Sequence, residues 1–397
     1  YVPHGSDATG GEAWRVPVCA RWEAAGTSRE ACALLEGPEG ALDLGPTCPA
    51  WVMPHAGGAS YHRWTLAPPD LARLRSAGLA HLSTLEKISL VRNLRAAQQS
   101  GAMPWVDAME AITALASDPD PDAALEPAAI LARLHDRFVP QAARPAVTAL
   151  ARRLYGPVFA RLGWEKKPGE TLATRRLREA TIELLALTGG DGAVRTEAAR
   201  RGRALVGLDG KPPRPDAVDP GLAQVALAAA VREGGASAFD ALVSKLGTVE
   251  DPALREKIVA ALGLQIDREL AARAARLWQG REVKPHEYRH LFGELSTLAA
   301  GREAMLAEVE RDLEGLGRAL PGGSLAFLPA LFAGGCEVAF ADAVRAALEP
   351  HLPAHPEMRR MLAQALEQIR ICAAEREEHR FEAGVWFARA ARAPRAR

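Results

Sequence analysis

His286-Glu287-Tyr288-Arg289-His290 has the residue types and spacing of a zinc-peptidase centre. In the H-E-x-x-H pattern two histidines one helical turn apart bind Zn²⁺, and the glutamate activates a water. Three features argue against that chemistry here. On a helical wheel Tyr288, Leu291, Phe292, Leu295, Leu298 and Ala299 form the core face, leaving His286 and His290 toward solvent. A third ligand, a glutamate after eighteen intervening residues, would fall on Val309. Glu308 and Glu310 flank that position, and Glu310 fits a spacing one residue longer. Pro285 places His286 in a first helical turn, where fraying is easiest. The motif therefore reads as a surface match, with a zinc site kept as the alternative.

No other constellation carries catalysis. The chain has no G-x-S-x-G elbow and no phosphate-cradling loop. Thr188-Gly189-Gly190-Asp191-Gly192 reads as a helix cap and loop. His62, His81, His135 and His351 are scattered without ligand spacing, as surface or hydrogen-bonded core residues. The cysteines Cys19, Cys32, Cys48, Cys336 and Cys372 contain no C-x-x-C pair, which argues against a zinc knuckle or a thioredoxin-like site. They are either buried free thiols or disulfides. Cys336–Cys372 is the neatest pair, and one of the first three is left odd, so the compartment stays open. No catalytic or metal-ligating residue is assigned, and the binding residues stay unassigned. Arg359, Arg360, Glu367 and Arg370 are candidates to face a cavity, but pairing at i,i+3 and i,i+4 explains them equally well.

The elements that would position such groups fall into two regimes. At 397 residues the chain calls for two or three domains or an extended helical array. Lys+Arg and Asp+Glu both total 49, which gives no electrostatic argument for nucleic acid or an anionic membrane. No run approaches the roughly 20 apolar residues that span a bilayer. The opening Tyr1-Val2-Pro3-His4 is not a signal-peptide pattern, and without an initiator Met it reads as a processed or excised piece.

From about residue 14 to 66, short β-type runs are broken by turn residues. Strands are expected at Trp14–Cys19, Ala31–Leu35, Ala41–Leu44 and Trp51–Met53. From Pro69 onward the periodicity is helical. The apolar stripes run Leu85, Ile88, Leu90, Val91, Leu94, then Leu177, Ile182, Leu184, Leu185, then Ile258, Leu262, Leu264. Asp219-Pro220, Asp251-Pro252 and Lys284-Pro285 look like helix starts. Gly189-Gly190, Gly234-Gly235, Gly280 and Gly322-Gly323 look like stops. About fifteen helices with short connections suit stacked hairpins without a strict period. Arg389, Arg392, Arg395 and Arg397 mark a solvated basic tail.

Trp51-Val52-Met53-Pro54-His55 through Ser60-Tyr61-His62-Arg63-Trp64 resembles a segment of aminopeptidase N and the endoplasmic-reticulum aminopeptidases. There a strand runs through Pro-Asn and a short turn into Gly-Tyr-Tyr-Arg-Val, where a sandwich hands over to a helical domain. This chain keeps Pro54, Tyr61 and Arg63, with His55 for the Asn, Ser60 for the Gly and His62 for the second Tyr. Further pieces follow in the family's order: Leu82–Lys87, Leu162-Gly163-Trp164, Leu177–Ala180, Ala260–Gly263 and Leu362–Arg370. Gly101-Ala102-Met103 evokes the family's G-A-M-E-N strand, but Pro104 and Trp105 follow, so the amine-holding carboxylate is missing and the segment reads as a helix cap.

The resemblance implies a mainly α protein: an irregular α–α superhelix of HEAT/armadillo-like hairpins preceded by a small, incomplete antiparallel β-sandwich. The expected organisation is 1–67 partial sandwich, 68–385 helical superhelix and 386–397 disordered basic tail. The sandwich is expected to expose an unpaired edge. The implied role is the non-catalytic C-terminal part of a zinc aminopeptidase, a bowl covering the active site and contacting the distal part of peptide substrates. Zn²⁺ and the catalytic domain, its partner, would lie upstream of Tyr1, and this chain would hold no cofactor. A free-standing helical scaffold for a protein partner and an autonomous zinc peptidase using HEYRH are the alternatives. Periplasmic or secreted and cytoplasmic locations stay equally open.

Overall fold

The computed structural model describes residues 15–37, 39–322 and 324–392. Three antiparallel strands, β1 (Val16–Ala24), β2 (Thr27–Leu35) and β3 (Trp51–Met53), form a sheet in the order β2-β1-β3. Alternation along β1 turns Ala20, Trp22 and Ala24 to one face, where Leu42, Leu44 and Val52 pack on them. Arg21 and Glu23 share the other face with Trp51 and Met53, which are buried against Leu71, Leu74 and Leu82 of the helical region. One face of the sheet thus joins the helical core, and the other keeps a small cluster of its own. Among the described residues β2 pairs with β1 alone, so its outer edge is unpaired.

The expected strand at Ala41–Leu44 does not form. Leu42 and Leu44 still bury toward the sheet, but the segment covers its face instead of joining the ladder. Trp14 lies outside the described residues. The disulfide reading of the cysteines is the one the structure takes. Cys19 and Cys32, directly opposite in β1 and β2, form one bridge. Cys336–Cys372 forms the other, and Cys48 is free and exposed.

The helices follow from Pro68. They are α1 (Pro68–Arg73), α2 (Thr84–Gln99), α3 (Trp105–Ala114), α4 (Pro121–Arg133), α5 (Arg144–Leu162) and α6 (Leu172–Glu183). Next come α7 (Gly192–Val206), α8 (Ala223–Lys245), α9 (Pro252–Gly263) and α10 (Arg268–Ala275). The last are α11 (Tyr288–Thr297), α12 (Ala299–Ala319), α13 (Val338–Leu348) and α14 (Arg359–Arg392). No helix among the described residues is long and apolar enough to cross a membrane.

Punctuation explains many boundaries. Asp219 and Asp251 accept hydrogen bonds from the amides of Gly221 and Ala253, and Ser83 with Glu86 makes a full capping box at α2. Gly235, at φ +61°, breaks α8 into two pieces. Gly202 lets α7 touch α8, because a Cβ there would lie 2.2 Å from the Ala226 carbonyl oxygen.

Of the expected stripes, Leu177, Ile182, Leu184, Leu185, Ile258, Leu262 and Leu264 are buried. Leu90, Val91 and Leu94 of the first stripe are buried too, but Leu85 is a correction: it is 63% exposed, because the first turns of α2 bury Glu86 and Lys87 instead. Glu86 there is bonded to Arg21, Lys87 to Asp118, and Asn93 to the Ser89 carbonyl.

The basic tail is the second correction. Helix α14 continues through Arg392, and Trp386 and Phe387 are buried beside Trp105 with ring centroids 5.4 and 5.6 Å away. These rings bury enough apolar area to hold residues 386–392 in place. Residues 393–397 lie outside the described set. At 34 residues α14 is about 50 Å long. It packs on α13, α5 and α3, so the last helix returns to the first ones. Arg95 and Glu375, and Glu110 and Arg389, are ion pairs across that seam.

Candidate functional site

Among the described residues the H-E-x-x-H side chains are not grouped as metal ligands. Pro285–Glu287 is a short 3₁₀ turn, and α11 begins only at Tyr288, so His286 and His290 do not share one regular helix. His286 is exposed and His290 half-buried near Glu256, at 3.5 Å. Glu287 is buried, with both carboxylate oxygens taken by Arg255 at 2.7 and 2.9 Å and a third bond from the Lys284 amide. Burial opposes its ionisation, but Arg255 and the amide outweigh burial and hold its pKa below the usual value. Such a carboxylate is committed to a guanidinium and cannot act as a base on a metal-bound water. Of the flanking acids, Glu310 is exposed, and buried Glu308 accepts from Trp278, Gln279 and Arg276. The wheel placed Tyr288, Leu291, Phe292 and Leu295 correctly, whereas Leu298 and Ala299 lie past the end of α11 and are half-buried.

Gly101-Ala102-Met103 closes α2, with the Ala102 amide donating to the Ala97 carbonyl at 2.8 Å. Leu162-Gly163-Trp164 and Leu177–Ala180, distant in sequence, are brought together by Arg178. This fully buried side chain binds both oxygens of Glu170, the Trp164 carbonyl and Asp219, at 3.0–3.1 Å.

A concave feature lies elsewhere. It has two lobes of about 500 and 430 Å³ that share Asp136, Arg137, Arg144, Ile266 and Leu298. Two wide π-helical turns shape it, Leu134–Phe138 after α4 and Leu184–Thr188 after α6. Each adds a residue to the turn and so rotates the following side chains away from the helix's regular face. The first presents Asp136 and Arg137 to both lobes, and the second lines one lobe with Leu184, Leu187 and Thr188.

The larger lobe is cationic. A Cβ on Gly334 would lie 2.9 Å from the Arg137 guanidinium and 3.1 Å from Nη1 of Arg302, so the two cations are neighbours. Arg302 has the Ser296 carbonyl and Asp136, at 2.9 and 3.5 Å, while Arg137 has no ion-pair or hydrogen-bond partner among the described residues. Burial, then Arg302 and Arg133, pull the Arg137 pKa down to about 10. The smaller lobe opposes two carboxyls to Arg232. Burial, then each other's charge for Glu183 against Glu294, raises the Glu183 pKa, and burial raises that of Glu294. Glu183 itself is reached by solvent. Arg232 donates to the Leu264 and Leu187 carbonyls, and burial lowers its pKa to about 10.

His135 lines the smaller lobe, and His81 stacks on Trp51 at 6.0 Å. Arg359 and Arg360 are exposed, Glu367 and Arg370 half-buried, and none of the four lines either lobe. The cationic lining was missed in the sequence because Arg137, Arg144, Arg302 and Arg376 come from four separate segments. Only an apolar stripe that ends in a charged turn, as at Leu134-His135-Asp136-Arg137, hinted at it.

The described residues form a helical array onto which the last helix returns, beside a cavity whose larger lobe is lined by several arginines. The family model described as the ERAP1-like C-terminal domain matches residues 51–371, and the chain belongs to this family. That domain is the non-catalytic, C-terminal part of an aminopeptidase. Comparison with curated proteins finds no match.

Proposed function

We propose that this chain walls the substrate compartment of a zinc aminopeptidase and receives the distal part of a peptide while another domain removes its first residue. The observation that carries the reading is the two-lobed cavity, whose larger lobe presents an unpaired Arg137 beside Arg302. Paired guanidiniums away from bulk water suit a carboxylate, such as a peptide's chain end. Zn²⁺ belongs to the domain that cuts, since the HEYRH glutamate here is engaged by Arg255.

Binding of a fluorescent ten-residue peptide to the purified chain tests this. Arg137→Gln is expected to weaken binding about tenfold, the effect of one charge-assisted hydrogen bond. The reading fails if Arg137→Gln binds like the parent chain, or if the chain itself hydrolyses leucine anilide with bound zinc.

A further inference from the structure

Two residues that depart from the family's handover pattern, His55 and His62, meet in space. Their rings lie 4.9 Å apart, edge to face, in the segment that leads from β3 to α1. His55 is buried, and its Nδ1 lies 2.5 Å from Ser89 Oγ on α2. Its Nε2 lies within reach of both backbone groups of Ser60, 2.9 Å from the amide and 2.5 Å from the carbonyl oxygen. A neutral ring that carries its proton on Nδ1, donated to Ser89 Oγ, accepts from that amide at Nε2. A ring protonated at Nε2 donates to the carbonyl instead and leaves the amide without its acceptor. His62 sits beside it with both ring nitrogens buried and without a hydrogen-bond partner among the described residues.

We infer that His55 and His62 form an acid-sensitive latch, which holds residues 54–66 against α2 when both rings are neutral and releases them on mild acidification. A second positive charge 4.9 Å from the first, in a partly buried site, repels it. The charged groups around the pair are already engaged. From α2, Glu86 binds Arg21 of β1 and the Gly57 amide, Lys87 pairs with Asp118, and Arg92 acts on Glu126 of α4. Arg63, in the segment itself, is exposed and adds positive charge. Among the described residues no carboxylate is hydrogen-bonded or ion-paired to either ring.

The pKa of His62 is lowered from 6.5, first by burial and then by His55, while the Pro54 carbonyl, outside hydrogen-bond geometry, pulls weakly the other way. A depressed histidine pKa means that the open segment binds the extra proton. The closed form is fully favoured above about pH 6.5 and loses ground as pH falls below it.

Hydrogen exchange of the full chain at pH 7.5 and 5.5, corrected for intrinsic rates, tests the latch. Opening of residues 54–66 is expected to rise about threefold or more at the lower pH, with α8 unchanged. His62→Tyr, the family's residue, is expected to abolish that ratio. An unchanged ratio in His62→Tyr, or no rise in the parent chain, overturns the inference. Should His62→Tyr not fold, an NMR titration of the parent chain decides: His62 titrating below 6.5 supports the latch, and titration at or above 6.5 sinks it.

Discussion

Glu287→Ala is expected to lower the unfolding free energy by about 3–5 kcal/mol, read from the urea midpoint. The variant leaves Arg255, a buried cation that also donates to the Leu246 and Glu282 carbonyls, without its carboxylate. Exposed His286→Ala should stay within about 0.5 kcal/mol, and half-buried His290→Ala should cost well under the Glu287→Ala loss. A metal site predicts the opposite ranking, in which the histidines matter most and added zinc stabilises the parent chain. Stoichiometric zinc lost in His290→Ala would falsify the structural account. The pH dependence carries a sign as well. Because the folded-state pKa of Glu287 is depressed, its contribution is complete above about pH 4.5 and is lost as pH falls through the folded value.

Arg178→Ala is expected to cost a similar 3–5 kcal/mol, since it leaves Glu170, itself 3% exposed, buried and unpaired. Arg178 also joins the loop before α6 to the turn before α8, through the Trp164 carbonyl and Asp219. Replacing both partners, Arg178→Met with Glu170→Met, should recover much of the loss, because the uncompensated charge is then gone. A double variant no more stable than Arg178→Ala would show that these backbone and Asp219 contacts, and not the charge pair, carry the effect.

These two residues show what could be read in advance. The helical region announced itself because stripes such as Leu177, Ile182, Leu184 and Leu185 repeat at helical spacing and bury as a unit. The cap residues Asp219 and Asp251 act locally, so sequence order alone reveals them. Leu85 misled because burial of Glu86, Lys87 and Asn93 depends on partners in β1, the turn after α3 and the chain around residue 64. A stripe reading assumes that polar residues face water. The cavity was illegible for a related reason. The π-helical turns at Leu134–Phe138 and Leu184–Thr188 shift side chains off the regular period, and no residue type announces them. At HEYRH the helical wheel told buried Tyr288 from exposed His286, but the glutamate was not recognised as the partner of an arginine thirty-two positions upstream.

The return of α14 to the first helices sets an order on biosynthesis. Trp105, fully buried, is covered by Trp386 and Phe387, almost three hundred residues further along the chain. A ribosome delivering some 5–20 residues per second leaves the hydrophobic face of α3 bare for roughly 15–60 s before its cover emerges. The early helices are thus the part of the nascent chain that needs a holding chaperone. Stalled chains ending before Trp386 should be clipped by protease near α3, and chains extended past Arg392 and clear of the exit tunnel should resist.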